Sequence, residues 1–136
     1  MTFVDSNVLI DILSRDPKWS DWSYRTLARR SGSGPLLINE VIYAEISIDV
    51  ASRAEMDSIV ESLEVTMARI PKEALFVAGK AYLKYRRAGG IRTGVLPDFF
   101  IGAHAQVTGV PVLTRDPRRY RAYFPKVELI APEVDF

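Results

Sequence analysis

A chain of 136 residues with 48% hydrophobic and 26% charged positions can bury one core, and dividing it would leave each half too little apolar area to fold, so residues 1–136 are expected to form a single domain. With 18 Lys plus Arg against 17 Asp plus Glu, the net charge of +1 excludes bulk attraction to nucleic acid and leaves only local clusters for that task. The lack of cysteine excludes disulfides, zinc thiolates and a thiol nucleophile.

The chain opens on Met1 to Asp5 without a basic and apolar leader, and no later apolar run reaches the ~18 residues of a membrane span. The expectation is therefore a cytoplasmic protein with no membrane partner. Thr2-Phe3-Val4-Asp5 followed by Asn7, Val8, Leu9, Ile12 and Leu13 reads as strand, turn and helix. After Pro17 a polar helix carries Trp19 and Trp22 and stops in the loop Ser31-Gly32-Ser33-Gly34-Pro35, as that composition dictates.

Leu36-Leu37-Ile38 makes a buried strand, and Asn39 caps a helix to about Val50, with another from about Arg53 to Leu63. Val65 to Ile70 is a third strand, and Leu75, Ala78, Tyr82 and Tyr85 keep helical spacing from Pro71 to about Ala88, where Gly89-Gly90 ends it. Ile91 to Pro97 is loop, Asp98 opens a further helix, Val110 to Thr114 is strand, and Val127 to Ile130 is a last short one. Strands alternating with helices imply a parallel sheet with helices on both faces.

Ligands of such sheets sit beyond the carboxyl ends of the strands, near the point where strand order reverses. Asp5 follows the first strand, Asp116 follows the strand ending at Thr114, and Asp98 starts the helix that feeds it. Each also has a bland alternative: Asp116 before Pro117 and Asp98 after Pro97 suit helix caps, and Asp5 can cap the turn to Asn7. Glu40 and Glu45 are five residues apart, hence ~140° around one helix axis, and cannot share a face. Glu40 falls in the first turn, where it complements the helix dipole. Glu45 falls among Val41, Ile42 and Ile48, an apolar stripe where a carboxylate is costly unless a cation, an arginine or water compensates it. Such oxygen-only donors suit Mg²⁺ or Mn²⁺, which activate water and neutralise an attacked phosphate.

These residues resemble the PIN-domain nucleases, in particular the VapC-like toxins of toxin–antitoxin pairs, across nearly the whole chain. Phe3-Val4-Asp5-Ser6-Asn7-Val8-Leu9-Ile10-Asp11 is similar to the opening motif, with Asp5 as metal ligand and Asn7 holding it. Ile38-Asn39-Glu40-Val41-Ile42-Tyr43-Ala44-Glu45-Ile46 is similar to the second motif, whose acid falls on Glu45. Leu96-Pro97-Asp98-Phe99-Phe100-Ile101-Gly102-Ala103-His104-Ala105 resembles the third, with its acid at Asp98, and Leu113-Thr114-Arg115-Asp116 the fourth, with Thr114 and Asp116. The resemblance implies a three-layer α/β/α sandwich of PIN-like topology and an endoribonuclease dependent on Mg²⁺ or Mn²⁺. Its catalytic and metal-binding acids would be Asp5, Glu45, Asp98 and Asp116, supported by Asn7 and Thr114. It also implies RNA as substrate, a cognate antitoxin and a homodimer.

His104 lies six residues after Asp98, ~240° around the helix, and is read as a packing or surface residue rather than part of the acid site. Trp19 and Trp22 share a face suited to packing, a partner or a base, and Tyr82 and Tyr85 to core or interface. Asp11 is either an acid supporting the site or an exposed helix residue. Arginine is dense at Arg29 and Arg30, at Arg86, Arg87 and Arg92, and at Arg115, Arg118, Arg119 and Arg121, with solvated helix faces the plain alternative to nucleic-acid contact. A haloacid-type phosphatase needs an acid where Asn7 stands, and a phospho-receiver needs a late lysine, which appears only at Lys126. The alternatives that stay open are a PIN-like RNA- or protein-binding module with weak catalysis and a nuclease acting on structured DNA.

Overall fold

The computed structural model describes residues 1–92 and 94–133. Five strands, β1 (Thr2–Val4), β2 (Leu36–Ile38), β3 (Val65–Met67), β4 (Val112–Leu113) and β5 (Leu129–Ile130), form one parallel sheet in the order β3-β2-β1-β4-β5. Between them run α1 (Ser6–Ser14), α2 (Ser20–Ser31), α3 (Glu40–Ser47), α4 (Arg53–Leu63), α5 (Lys72–Arg87), α6 (Leu96–Thr108) and α7 (Arg118–Tyr123). The parallel sheet with intervening helices is the architecture expected from the alternating pattern. β1, β2 and β4 are buried along their whole length because both faces are covered, and Val4, Ile38, Val112 and Leu113 are fully buried.

The connectivity places the site. From β1 the chain moves to one side through β2 and β3, then returns to the other side of β1 through β4, so strand order reverses at the β1–β4 seam. The backbone closes that seam, with Asp5 N–H donating to the Leu113 carbonyl at 2.9 Å. Helix α1 packs on α2, and α5 packs on α6 with α7 beside it. Right-handed crossovers put these two groups on opposite faces of the sheet. Helix α3 touches both α1 and α6 just past the end of β2, which brings its side chains to the same edge.

Several boundaries differ from the sequence reading. Helix α3 ends at Ser47, short of Val50, and its presumed stripe residue Ile48 is 77% exposed. Strand β3 stops at Met67 rather than Ile70, β4 is shorter than 110–114, and β5 begins only at Leu129. Helix α6 starts at Leu96 with proline in its first turn, so Asp98 is inside the helix and does not cap it. The expected loop from Ile91 to Pro97 is thereby cut short, and Thr93 within it lies outside the described residues. Helix α7 was signalled only by the cap that Asp116 and Pro117 suit; it has six residues, too few to show a periodic pattern of its own. Where α6 passes α7, Gly102 lets the Phe124 ring lie against the helix: a Cβ there would stand 2.3 Å from that ring.

Candidate active site

The end of β1 delivers Asp5 to the N-cap position of α1, yet its carboxylate makes no capping hydrogen bond. Its Oδ2 instead accepts from the Tyr120 hydroxyl at 2.8 Å and from the Thr114 hydroxyl at 2.9 Å, with Asn7 Nδ2 at 3.4 Å. Tyr120 comes from α7 and Thr114 from just past β4, across the seam, whereas Asn7 belongs to α1 beside Asp5. Thr114 Oγ1 accepts in turn from Asn7 Nδ2 and from the Asp116 backbone N–H, both at 3.2 Å. Asn7 Oδ1 accepts from the Arg115 backbone N–H at 3.2 Å. Asn7 and Thr114 thus stitch the two strand ends together and fix the direction of Asp5.

Glu45 comes from α3 and is half-buried. Its Oε1 accepts from Ser6 Oγ at 2.9 Å, and the same hydroxyl lies 3.4 Å from Asp5 Oδ1. Burial pushes the Glu45 carboxyl up to about 7, helped by the charges of Asp5 and Asp98. Asp98, in the first turn of α6, is pushed up to about 6 by burial and by Asp5, against the opposing pull of Arg119. Burial also raises Asp5, although its hydroxyl donors hold it down. Three acids from three elements therefore share one electrostatic neighbourhood at the carboxyl edge of the sheet.

Asp116 stands apart in kind. Arg118 holds it at 2.6 Å and pulls its pKa below the usual carboxylate range. It precedes the residue that caps α7, Pro117, so the expected capping role is replaced by this local ion pair, with the Arg118 N–H at 3.4 Å as its weaker companion. Its charge still reaches Asp98. Among the described residues no three acidic or imidazole side chains are already drawn into an ion cage; Arg118 and Arg119 each occupy one of the acids.

Glu40, in contrast, faces away from the site and accepts the Ile70 backbone N–H at 2.9 Å, holding the chain after β3. His104 is buried and lies 4.5 Å from the Phe3 ring centroid. Asn39 uses Oδ1 to cap α3 at the Ile42 N–H, so its Nδ2 donates to His104 Nδ1 at 3.2 Å and leaves that imidazole neutral. It is a packing histidine. Asp11 is buried, not exposed: Arg115 forks onto it at 2.7 and 3.2 Å, and Ser23 adds a hydroxyl at 3.2 Å. That pair anchors the loop after β4, with Arg115 5.8 Å from the Trp19 ring centroid and Trp19 edge-on to Trp22. Tyr82 and Tyr85 pack against Phe99.

Sequence reasoning missed Ser6, Arg119 and Tyr120. Ser6 was visible inside the first motif, but Arg119 and Tyr120 reach the acids only through a fold contact more than twenty residues from Asp98 in sequence. Glu45 also walls an open groove of about 280 Å³ that includes Ile10, Leu13, Ile46 and Val50, with Ile10 40% and Leu13 41% exposed.

A family model described as the PIN domain matches residues 2–125. No curated protein matches the sequence. Solved structures share the fold at low identity. VapBC2 from Rickettsia felis, bound to a DNA fragment from its promoter, is 14% identical over 97% of this chain and 98% of that one, with a TM-score of 0.74. VapBC-1 from nontypeable Haemophilus influenzae is 15% identical over 96% of each chain, with a TM-score of 0.72. A toxin–antitoxin complex from Klebsiella pneumoniae is 19% identical over 93% of this chain and 95% of that one, with a TM-score of 0.67.

Proposed function

The chain belongs to the PIN-domain family, a family of nucleases that generally use divalent metal ions, and we propose that it is a Mg²⁺- or Mn²⁺-dependent endoribonuclease, the toxin of a toxin–antitoxin pair. The observation that carries this reading is the grouping of Asp5, Glu45 and Asp98, two of which hold their protons up to about 7 and about 6. Carboxylates that resist shared ionisation gain most from a hard cation, and every nearby donor is oxygen. Asp5, Glu45 and Asp98 are the residues that would hold such an ion, with Asp116 beside them. A bound divalent cation supplies an acidified water and neutralises charge on the attacked phosphate and the leaving oxygen.

The chain's own residues do the positioning. Tyr120, Thr114 and Asn7 occupy Asp5 Oδ2, while Oδ1 meets the Ser6 hydroxyl that also holds Glu45. Ser6 holds one oxygen of Glu45, and Oε2 has no hydrogen-bond partner among the described residues, so it is the atom available to take the proton of an attacking water. The Asp11–Arg115 pair fixes the loop that presents Thr114 and Asp116.

RNA ranks ahead of structured DNA because no threading insertion stands among the described residues. The neighbouring structures are toxin–antitoxin complexes, and the groove at Ile10 and Leu13 supports an antitoxin as partner. Leu75 and Phe76, 44% and 68% exposed on α5, support a homodimer. A cytoplasmic setting belongs to the same proposal, and among the described residues no helix is long and apolar enough to cross a membrane. Purified protein incubated with mixed RNA or duplex DNA, with Mg²⁺, Mn²⁺ or EDTA, tests it. RNA should be cut only with a divalent ion. Cleavage persisting in EDTA refutes the mechanism, preference for duplex DNA moves the substrate, and RNA retention without cleavage identifies a binding module.

A further inference from the structure

Helix α7 presents three successive side chains to three acids: Arg118 to Asp116 at 2.6 Å, Arg119 to Asp98 at 2.5 Å and Tyr120 to Asp5 at 2.8 Å. They are not equivalent. Tyr120 is buried and fixed by its surroundings, and Arg118 serves an acid at the rim with its side chain 62% exposed. Arg119 stands between them, 23% exposed, beside an Asp98 side chain that is 30% exposed. It is the cation placed among the raised carboxylates.

Its bonding is incomplete. A guanidinium offers a planar fork of N–H donors, yet among the described residues only Nη1 of Arg119 has a hydrogen-bond partner, the single oxygen Oδ2 of Asp98. The Tyr85 ring lies 6.0 Å from the guanidinium carbon, a surface on which a flat group can slide without losing all its contact. Compare Arg115, which forks onto both oxygens of buried Asp11 in the manner of a permanent structural pair. Arg119 has the one-point attachment of a group that can change partners.

The charge balance supplies the partner. A phosphodiester entering a pocket of carboxylates is repelled, and one divalent ion does not neutralise all of them and the substrate together. Arginine suits phosphate because its fork matches two phosphate oxygens. We propose that Arg119 is the phosphate-contacting residue of the site, resting on Asp98 in the ion-free protein and turning to the substrate when Asp98 takes part in holding a divalent cation. This rests on the nuclease reading above, and it adds a residue whose two contacts compete.

The competition gives opposite effects in one variant. Arg119→Gln and Arg119→Lys, each checked for unchanged melting, are compared with wild type for Mn²⁺ affinity without RNA, read from the free-Mn²⁺ resonance signal. Binding of a fluorescent oligoribonucleotide in Mn²⁺ is read from initial anisotropy, and its cleavage is followed separately. Removing the competing cation should tighten Mn²⁺ binding about fivefold in Arg119→Gln, while RNA binding and cleavage fall at least ~10-fold, with Arg119→Lys between. Mn²⁺ affinity that is unchanged or weaker means Arg119 does not compete for Asp98 and overturns the proposal. So does tighter Mn²⁺ binding with RNA binding undiminished. If wild type binds Mn²⁺ and RNA but cuts nothing, the nuclease reading fails while the opposed effects still support Arg119; if wild type binds no Mn²⁺, both fall.

Discussion

Asp98→Asn should make the ion-free protein more stable at neutral pH. At 1.36 kcal/mol per pH unit, a carboxyl raised from 3.8 to about 6 costs the fold about 3 kcal/mol once both states are ionised. The cost is fully present above about pH 6, shrinks as pH falls through the folded value, and is gone below 3.8. Asparagine keeps the shape and an oxygen for Arg119 while removing the charge. The side chain is 30% exposed, so solvent screening lowers that ceiling, which already includes the opposing pull of Arg119; about 1–2 kcal/mol remains, a rise in Tm of several degrees. Thermal melts by circular dichroism in EDTA at pH 7.5 and pH 4 provide the assay. The variant should melt higher at pH 7.5, with the gap closing at pH 4. A variant that melts lower at pH 7.5, or a gap independent of pH, refutes the electrostatic reasoning.

Glu45→Gln should lose at least ~100-fold in cleavage rate, whereas Glu40→Gln, which keeps an oxygen for the Ile70 N–H, should be nearly silent when the same oligoribonucleotide is assayed. Because the Glu45 carboxyl titrates at about 7, protons compete with the ion there, so Mn²⁺ affinity should rise between pH 6 and pH 8 in calorimetric titrations and rise less in Glu45→Gln. Gly102→Ala should lower stability, since its methyl would stand 2.3 Å from the Phe124 ring; overpacking costs ~1–3 kcal/mol and exceeds the helix-propensity gain of ~1 kcal/mol, visible as a lower urea midpoint.

Much of the site was legible because chemistry and position coincided. Asp5 follows a short buried strand, Thr2-Phe3-Val4, and a parallel sheet must expose that end, so its place could be read locally. Asp98 was located correctly although its helix begins two residues earlier, at Leu96, because either boundary leaves it in the first turn. Glu45 was chosen over Glu40 by helix phase; its oxygen meets Ser6 beside Asp5 while Glu40 holds the Ile70 N–H, although Ile48, one of the supports for that phase, is exposed and Ile42 and the neighbouring Ile46 carry the buried face instead.

What stayed hidden depends on contacts between distant segments. Asp11 and Arg115 form their pair 104 positions apart, so neither showed a local sign of burial. The arginines of the last cluster looked like a basic face, but three of them, Arg115, Arg118 and Arg119, are turned onto acids. Tyr120 belongs to a helix too short to have a period, and nothing near it in sequence announces that its hydroxyl would meet Asp5. Thr114 and Asn7 could be named, while their mutual hydrogen bond required the β1–β4 pairing to exist.

The most direct test of the central claim is the cleavage rate of one oligoribonucleotide as a function of Mn²⁺ concentration, for wild type and for Asp5→Asn at matched folding. Wild type should show a saturable rise from no activity in EDTA, and Asp5→Asn, which keeps acceptors for Tyr120 and Thr114 but loses the anionic ligand, should stay near zero throughout. Equal curves for the two proteins, or a wild-type rate that does not depend on the ion, would contradict the proposal that these carboxylates hold a divalent cation for RNA cleavage.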